Sequence, residues 1–346
     1  MKAKLVLHIC FWIGWLIAVP FSFHPVPGSS LTKQFNQEWE ISLDMLRLRV
    51  NHRGRMSELL PGFFMETEIS QCVVVTDTYL GSSGGRPLAL DREFNRISQD
   101  LDTRKGSDDW GKHHASHGTS HLESRTVQFR LVDDTYESSF ERESDRPKQR
   151  LLDGLTEDMN LRMLVPSIPV AVGDSWEFEL EALPDLLSPG GYMECNIDLD
   201  GDATQLRELL DLGLTGDLRA LLGRSAEGTA RVTYASSTAG LALLEIEIDV
   251  SVENDTDDLS ALVERLLGSE SGDWSVEIER LAINVELTAT GTAVWDTRKG
   301  LIDSLELTGE IWSTVDLELC LDLTDPVVIE VTTSFTADFE HSVKAL

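Results

Sequence analysis

Four of the eight histidines in the chain, His113, His114, His117 and His121, fall within nine residues. A helical segment would bring the imidazoles of His117 and His121, four residues apart, to one side, where they could chelate zinc or nickel. Gly118 and the neighbouring serines favour a solvent-exposed loop instead, and short histidine tracts of that kind bind metals without purpose. The stretch therefore predicts either a weak transition-metal site or an exposed loop without one.

A second pattern resembles the first half of a calcium-binding loop. The pattern continues only as far as Gly201, because the twelfth position is Arg207 rather than the glutamate that chelates calcium with both oxygens. An acidic turn that caps a following helix explains the same residues equally well. The candidate oxygen ligands are Asn196, Asp198, Asp200 and Asp202. We therefore expect no cofactor, and calcium and zinc are the alternatives that the sequence leaves open.

No pattern of a catalytic nucleophile is supported by its surroundings. Gly81–Gly85 has the formal spacing G-x-S-x-G, but Arg86 and Pro87 follow it where a nucleophile elbow requires the start of a helix. We therefore expect a flexible hairpin loop there, assign no catalytic residue, and favour a protein that is not an enzyme.

Charge restricts the partners of the protein. The chain has 60 acidic and 29 basic residues, a net charge of −31. Such a surface repels nucleic acids and anionic lipid headgroups and attracts cations and basic proteins. We therefore expect no nucleic-acid partner.

The first thirty residues have the layout of a secretory signal. Lys2 and Lys4 precede a mostly apolar stretch, Leu5–Phe23, and prolines then interrupt it. Ala18 and Ser22 are the small residues after which a peptidase could cut. The segment is either a cleaved signal or an uncleaved anchor, which would be the only contact with a membrane. Both alternatives predict a location outside the cytoplasm, in the periplasm, in the cell envelope or secreted.

Three cysteines beyond the segment, Cys72, Cys195 and Cys320, allow at most one disulfide, and we expect small buried thiols.

Strict alternation of apolar and polar residues dominates the C-terminal half and predicts long strands with one buried face. The pattern predicts a hairpin over 230–252 and an antiparallel meander over 283–339. Between them, the apolar spacing of Leu259–Leu267 predicts a helix lying on the sheet.

The N-terminal half is less regular. We expect a strand over Trp39–Val50, bulged where its apolar parity shifts between Leu43 and Leu46. Ser98–Glu123 reads as a polar loop and Lys148–Leu164 as a helix. A tight hairpin over 126–140 and short helices over 204–212 and 217–222 complete the pattern.

The predicted fold class is α+β, with long antiparallel meanders forming one or two curved sheets and helices packed on one face. We expect the signal or anchor over 1–30, an N-terminal β-rich domain over 31–185, a short helical connector over 186–225, and a β-β-α-β-β-β domain over 226–346.

Several strings are similar to an uncharacterised family of exported bacterial proteins that is abundant in planctomycete-type genomes. They are VVVTDTYL, GGRPLALDREF, TVQFRLVDDTYE, LVPSIPVAVGDSWEFELEAL and GTAVWDTRKGLIDSLELTGEI, which lie between residues 73 and 311. These strings are turn and strand signatures, so the resemblance implies an extracytoplasmic β-sheet protein and brings no site residue.

The function expected from these features is non-enzymatic binding of a hydrophobic ligand or an envelope partner between sheet and helix. One alternative is an acidic structural or interaction module that acts through its surface. A second alternative is a metal-dependent hydrolase that uses the histidine segment, which needs at least three converging ligands.

Overall fold

The computed structural model describes residues 21–52, 55–59, 63–107, 110–142, 149–191, 193–197, 226–254, 275–322 and 327–346. These residues form fourteen strands. The strands are β1 (Ser30–His52), β2 (Arg55–Leu59), β3 (Phe63–Ser83), β4 (Arg86–Ser107), β5 (Trp110–Thr119), β6 (Thr126–Val132), β7 (Thr135–Phe140), β8 (Ser175–Glu177), β9 (Asn196–Ile197), β10 (Ala226–Thr238), β11 (Leu241–Asn254), β12 (Ser275–Asp296), β13 (Leu301–Asp322) and β14 (Val327–Ala345).

All fourteen strands belong to one antiparallel sheet. Its main path runs in the order β7-β6-β4-β3-β1-β14-β13-β12-β11-β10-β8. The strands of the N-terminal half join those of the C-terminal half where β1 pairs with β14, from Lys33 opposite Ala345 to His52 opposite Val327. The two halves that the sequence separates therefore share a continuous backbone hydrogen-bond network.

The alternation of apolar residues is confirmed as strand structure. The hairpin β10–β11 and the meander β12–β13–β14 lie where the pattern predicts them. In β13 the side chains of Leu305, Leu307 and Ile311 are buried, while Glu306 and Glu310 between them are exposed. The bulge predicted in the first strand is also confirmed, because the register of β1 against β14 shifts between Leu43 and Met45.

The sheet is strongly curved. Phe21 packs edge-on against Tyr234 of β10 with ring centroids 5.2 Å apart, and Phe23 packs against Tyr79 of β3 at 5.6 Å. Strands β3 and β10 are six steps apart in the sheet, about 29 Å if it were flat. Two residues separated by one are at most about 7 Å apart. Strands β3 and β10 therefore turn toward each other across the inner face, and apolar side chains fill the space between them.

The prediction of α+β is wrong for the described residues, which are almost entirely strand. They contain one α-helix, α1 (Leu183–Leu187), of five residues. The helix predicted over 148–164 is replaced by turns, among them a 3-10 turn at Arg162–Leu164. The carbonyls of Thr156 and Glu157 accept hydrogen bonds from Arg92 instead of from helical N–H groups. Bonding to the buried face of the sheet therefore outweighs the helical spacing of the leucines.

The prediction of a loop over Ser98–Glu123 is also wrong. Strand β4 continues to Ser107, and β5 pairs with it from Ser107 opposite Trp110 to Ser98 opposite Thr119. Alternation of apolar residues marks a strand only where apolar side chains cover its inner face. Here the inner positions of β5 carry His114, Ser116 and Gly118, so the sequence lacks the signal although the backbone is extended.

The helices predicted over 204–212, 217–222 and 259–267 lie outside the described residues, as does the apolar segment before Phe21. Within the described ranges, no helix has both the length and the apolar composition needed to cross a membrane.

Candidate functional site

The structure separates the four histidines of the predicted metal site. His113 and His117 lie on the outer, solvent-exposed face of β5, and each contacts a carboxylate of the neighbouring strand β4. His113 Nε2 lies 2.6 Å from Asp102 Oδ1, and His117 Nδ1 lies 2.6 Å from Asp100 Oδ1. His114 points to the opposite face, where its Nε2 is buried without a hydrogen bond. His121 lies in the turn after β5 and is exposed.

This geometry does not form a metal centre in the part of the chain that the structure describes. No three histidine, cysteine or carboxylate side chains converge there on one point. Residues four apart in a strand are separated by roughly 13 Å, which prevents His113 and His117 from sharing an ion. Of the calcium candidates, Asn196 is exposed in the short strand β9, while Asp198, Asp200 and Asp202 lie outside the described residues. A calcium site there stays a prediction.

The outer face of the sheet instead carries a row of carboxylates on five adjacent strands. The register places each member directly opposite the next: Glu310 opposite Asp338, Asp338 opposite Glu40, Glu40 opposite Glu68, and Glu68 opposite Asp102. We call these five residues the acidic row. Adjacent strands are about 4.8 Å apart, and like charges directly opposite each other destabilise a sheet. The row therefore lowers the stability of the folded protein.

A depression of about 510 Å³ in the outer face lies over one end of the acidic row. Its lining includes Glu40, Glu68 and Asp102 of the row, together with Glu38 and Asp100. His117 forms part of the wall through its contact with Asp100. The depression is thus a negatively charged recess with one imidazole at its margin, and it suits a cationic group.

One large aromatic side chain is exposed beside the other end of the row. Trp312 is 38% exposed and lies two residues from Glu310 on β13. Glu286 of β12 stands opposite it. An indole ring flanked by carboxylates attracts ammonium and guanidinium groups through its face and through charge. Sequence parity alone identifies Trp312 as an outward-facing residue.

A buried group of charges lies on the inner face, and the sequence provided no signal for it. Lys33 of β1, Asp77 of β3 and Arg92 of β4 are fully buried. Lys33 Nζ lies 3.0 Å from Asp77 Oδ2, and Arg92 Nε lies 2.7 Å from Asp77 Oδ1. Lys33 also donates to the Met159 carbonyl and to Asn160 Oδ1, both at 3.1 Å. Each of these residues alone resembles an ordinary surface charge in the sequence.

The role of this buried charge cluster, Lys33–Asp77–Arg92, is structural. Burial lowers the pKa of the Lys33 ammonium, although Asp77 opposes that effect. Burial would raise the pKa of Asp77, but the charges of Arg92 and Lys33 outweigh it and lower the value. Through the hydrogen bonds of Lys33 and Arg92, the cluster fastens residues 156–160 to β1 and β4. In the described structure the cluster is filled by its own partners, so no substrate would reach it.

A second buried polar residue, His341, has no hydrogen-bond partner for either ring nitrogen. It is 4% exposed and packs against Trp39 and Phe339, with centroid distances of 5.4 Å and 5.1 Å. Burial lowers the pKa of His341 to about 4; the backbone of Leu186 opposes that effect, although its contact with the ring falls short of hydrogen-bond geometry. The ring is therefore neutral at physiological pH and acts as an aromatic core residue.

No protein-family model matches the chain. No curated protein matches it either. Among solved structures, the outer membrane protein OprG from Pseudomonas aeruginosa is 4% identical, with 93% of this chain and 98% of that chain covered and a TM-score of 0.22. The outer membrane protease OmpT from Escherichia coli is 7% identical, with 92% and 97% covered and a TM-score of 0.21. At these TM-scores the likenesses carry no argument about this chain.

Proposed function

We propose that the protein is an exported, non-enzymatic envelope protein that holds a basic partner on the outer face of its sheet. The partner is a lysine- or arginine-rich polypeptide segment. The acidic row is the observation that carries this proposal. Five carboxylates placed side by side destabilise the sheet, and a cationic partner would neutralise that repulsion on binding.

The partner would lie along the acidic row, because each end of the row has a feature that suits a cationic group. The depression lined by Glu38, Glu40 and Glu68 receives one part of the segment. Trp312 offers a ring face to a guanidinium or ammonium group at the other end. Exposed ion pairs are individually weak, so affinity arises from several contacts along the row and falls as salt increases.

The export part of the proposal is supported by the N-terminal sequence, with its two lysines, apolar stretch and prolines. The large negative charge agrees with it because a chain with net charge −31 remains soluble and resists non-specific adsorption to anionic lipid.

The binding proposal is tested by measuring the affinity of a fluorescent oligolysine probe for the purified protein at low and high salt. Glu40→Gln, Glu68→Gln and Asp102→Asn together remove three charges from the row. The matched control removes three exposed charges elsewhere: Glu137→Gln, Glu245→Gln and Asp249→Asn. We expect the row variant to lose at least tenfold in affinity and the control less than threefold. Equal losses in both variants would mean that only the net charge attracts the probe.

A second candidate function, binding of an apolar ligand, is favoured by one observation. Toward the C-terminal end of β13 and the N-terminal end of β14, four apolar side chains on the inner face are only partly buried: Val315, Leu317, Ile329 and Phe335. Elsewhere on that face the core is filled, with Trp295 and Phe94 at 1% and 0% exposure. Native mass spectrometry of the protein from its exported fraction decides between the two functions, since a retained lipid-sized mass would support the apolar ligand.

A further inference from the structure

Two histidines contact carboxylates that line the depression over the acidic row. His117 Nδ1 lies 2.6 Å from Asp100 Oδ1, and His113 Nε2 lies 2.6 Å from Asp102 Oδ1. Both carboxylates belong to the lining of the depression, and both histidines come from strand β5 at its margin. Two of the groups that a basic partner would have to reach are therefore already in contact with side chains of the protein itself.

The charged groups that face His117 are carboxylates. Asp100 stands directly opposite it on β4, and Asp102 lies diagonally across. The flanking residues of its own strand on the same face, Ala115 and Thr119, are uncharged, as are both residues of β9 on the other side. In the described part of the chain, no cation on these strands competes with the imidazole of His117 for Asp100.

His113 faces a cation as well as a carboxylate. Arg104 stands directly opposite it on β4, and Asp102 lies diagonally across. The Arg104 guanidinium contacts β3 instead, where Nη1 lies 3.5 Å from Glu66 Oε2 and the group lies 5.5 Å from the centroid of the Phe64 ring. The residues two positions away on β5 are uncharged. Asp102 therefore pairs with His113.

Both pairs are open to solvent, so they respond to the pH outside the protein. The side chains of His113 and His117 are 64% and 58% exposed. Histidine is the residue type whose charge ordinarily changes between about pH 5 and 8. Aspartate and glutamate change charge near about pH 4, and lysine near about pH 10. A pH change within the histidine range therefore alters the imidazoles and leaves the charge of a lysine-rich partner unchanged.

We propose that His113 and His117 form a pH switch that releases the basic partner from the depression as the pH falls below about 6. The proposal rests on the binding function proposed above and adds its regulation. Protonation of both rings reduces the charge of the depression from five negative charges to a net of three. Because each ring already touches its carboxylate, this change requires no rearrangement of side chains.

The direction of the switch follows from competition for the same carboxylates. Above the pH range in which histidine gains its charge, the carboxylates keep their full charge and the partner binds most tightly. Below that range, each imidazolium neutralises a carboxylate and repels the ammonium groups of the partner. Linkage requires the reciprocal effect, so binding of the partner must expel protons from the histidines. Glu310, Asp338 and Trp312 lie on strands away from β5 and keep a weak affinity at any pH in this range.

The switch is tested with a fluorescent oligolysine whose N-terminus is blocked, at low salt and at pH 8.0 and 5.5. We expect the unaltered protein to bind it about fivefold or more weakly at pH 5.5, and the double variant His113→Asn, His117→Asn to lose about twofold or less. The matched control is His24→Asn, His121→Asn, two exposed side chains outside the depression. It should show the same loss as the unaltered protein.

The outcomes distinguish the switch from the binding function on which it rests. Salt-sensitive binding at pH 8.0 that is equally tight at pH 5.5 overturns the switch and leaves the binding function intact. An equal loss at pH 5.5 in the unaltered protein and in the variant of His113 and His117 overturns the switch as well. No binding by the unaltered protein at pH 8.0 overturns both.

A second measurement detects the protons directly. Isothermal titration calorimetry of the same oligolysine at pH 6.5, in two buffers that differ in ionisation enthalpy, gives the number of protons released on binding. We expect the unaltered protein to release protons and the double variant His113→Asn, His117→Asn to release almost none. Equal proton release by both proteins would show that other groups respond to the pH, and would overturn the switch.

Discussion

Lys33 and Asp77 form an ion pair of 3.0 Å although neither side chain has any exposure to solvent. Arg92 binds the same carboxylate, so one buried anion serves two buried cations. Removal of the shared anion would leave both cations without a counter-charge in a medium of low polarity.

We predict that Asp77→Asn lowers the free energy of unfolding by about 3–5 kcal/mol, the usual result of breaking a buried ion pair. Urea denaturation followed by tryptophan fluorescence measures the change. Asp338→Asn, which removes an exposed carboxylate from the outer face, serves as the control and should change stability by less than about 1 kcal/mol. Similar stabilities for Asp77→Asn and the unaltered protein would contradict the structural role of the cluster.

A second prediction concerns the acidic row. Glu40 stands between Asp338 and Glu68, directly opposite both. Glu40→Gln should therefore raise the free energy of unfolding by about 0.2–1 kcal/mol at low salt. It should also weaken binding of the oligolysine probe. The gain should shrink at high salt because screening already relieves the repulsion.

The control for that variant is Glu245→Gln, on the same outer face. Glu245 stands opposite Thr233 and Thr292, so no acid faces it directly. It should leave stability nearly unchanged. A loss of stability in Glu40→Gln would show that Glu40 is a structural residue rather than part of a binding surface.

The buried His341 predicts a pH dependence of stability. Its pKa is lowered to about 4 in the folded protein from 6.5, so the unfolded chain binds a proton more readily. Stability is then full above pH 6.5 and falls as the pH decreases from 6.5 to about 4, by about 3 kcal/mol in total for this group. His341→Phe should remove that part of the pH dependence in denaturation curves, whereas His117→Asn on the exposed face should retain it. Parallel pH profiles for all three proteins would exclude His341 as the cause.

Phe21 is 7% exposed and packs against Tyr234. In the purified protein, Phe21→Ala should lower the free energy of unfolding by about 3–5 kcal/mol, as for other buried phenylalanines. Val26→Ala, in the same segment but 70% exposed, should change it by less than about 0.5 kcal/mol. Thermal unfolding measures both, and equal melting temperatures would show that residues 21–24 are not part of the core in solution.

Zinc should have little effect on the protein through its histidine segment. His113 and His117 are held to separate carboxylates on an extended strand, and His121 lies in a turn beyond it. In isothermal titration calorimetry, we expect the unaltered protein to bind zinc no more tightly than the double variant His117→Ala, His121→Ala does. Tight zinc binding that this double variant abolishes would restore the metal-site hypothesis.

The long C-terminal strands could be predicted from the sequence because an apolar core covers one face of each strand. The same principle explains the failure at β5, where Ser116 and Gly118 occupy the inner positions. Sequence parity also identified Glu40 and Glu310 as members of regular strands, but it could not place them in one row. Their alignment depends on which strands become neighbours, and β1 and β14 are almost the whole chain apart.

The helix predicted over 148–164 is wrong for a different physical reason. Leu151 and Met159 are buried as a helix would bury them, but the backbone between them bonds to Arg92 and Lys33. Such donors, distant in the sequence, leave no trace in local periodicity. The buried charge cluster could not be predicted for the same reason. Charged residues are seldom buried without partners, and the partners here come from three different strands.

The pairing of the first long strand with the last sets a condition on how the protein can form. While β14 is still being synthesised or translocated, β1 lacks one neighbour and β13 lacks another, so two incomplete sheets with open edges exist side by side. Contacts between residues as distant as Lys33 and Ala345 form slowly, and unpaired edges invite association with other chains. The polypeptide therefore depends on the nineteen-residue strand β14 to become a single cooperative unit, and a chain that terminates before β14 would be released as an aggregation-prone intermediate.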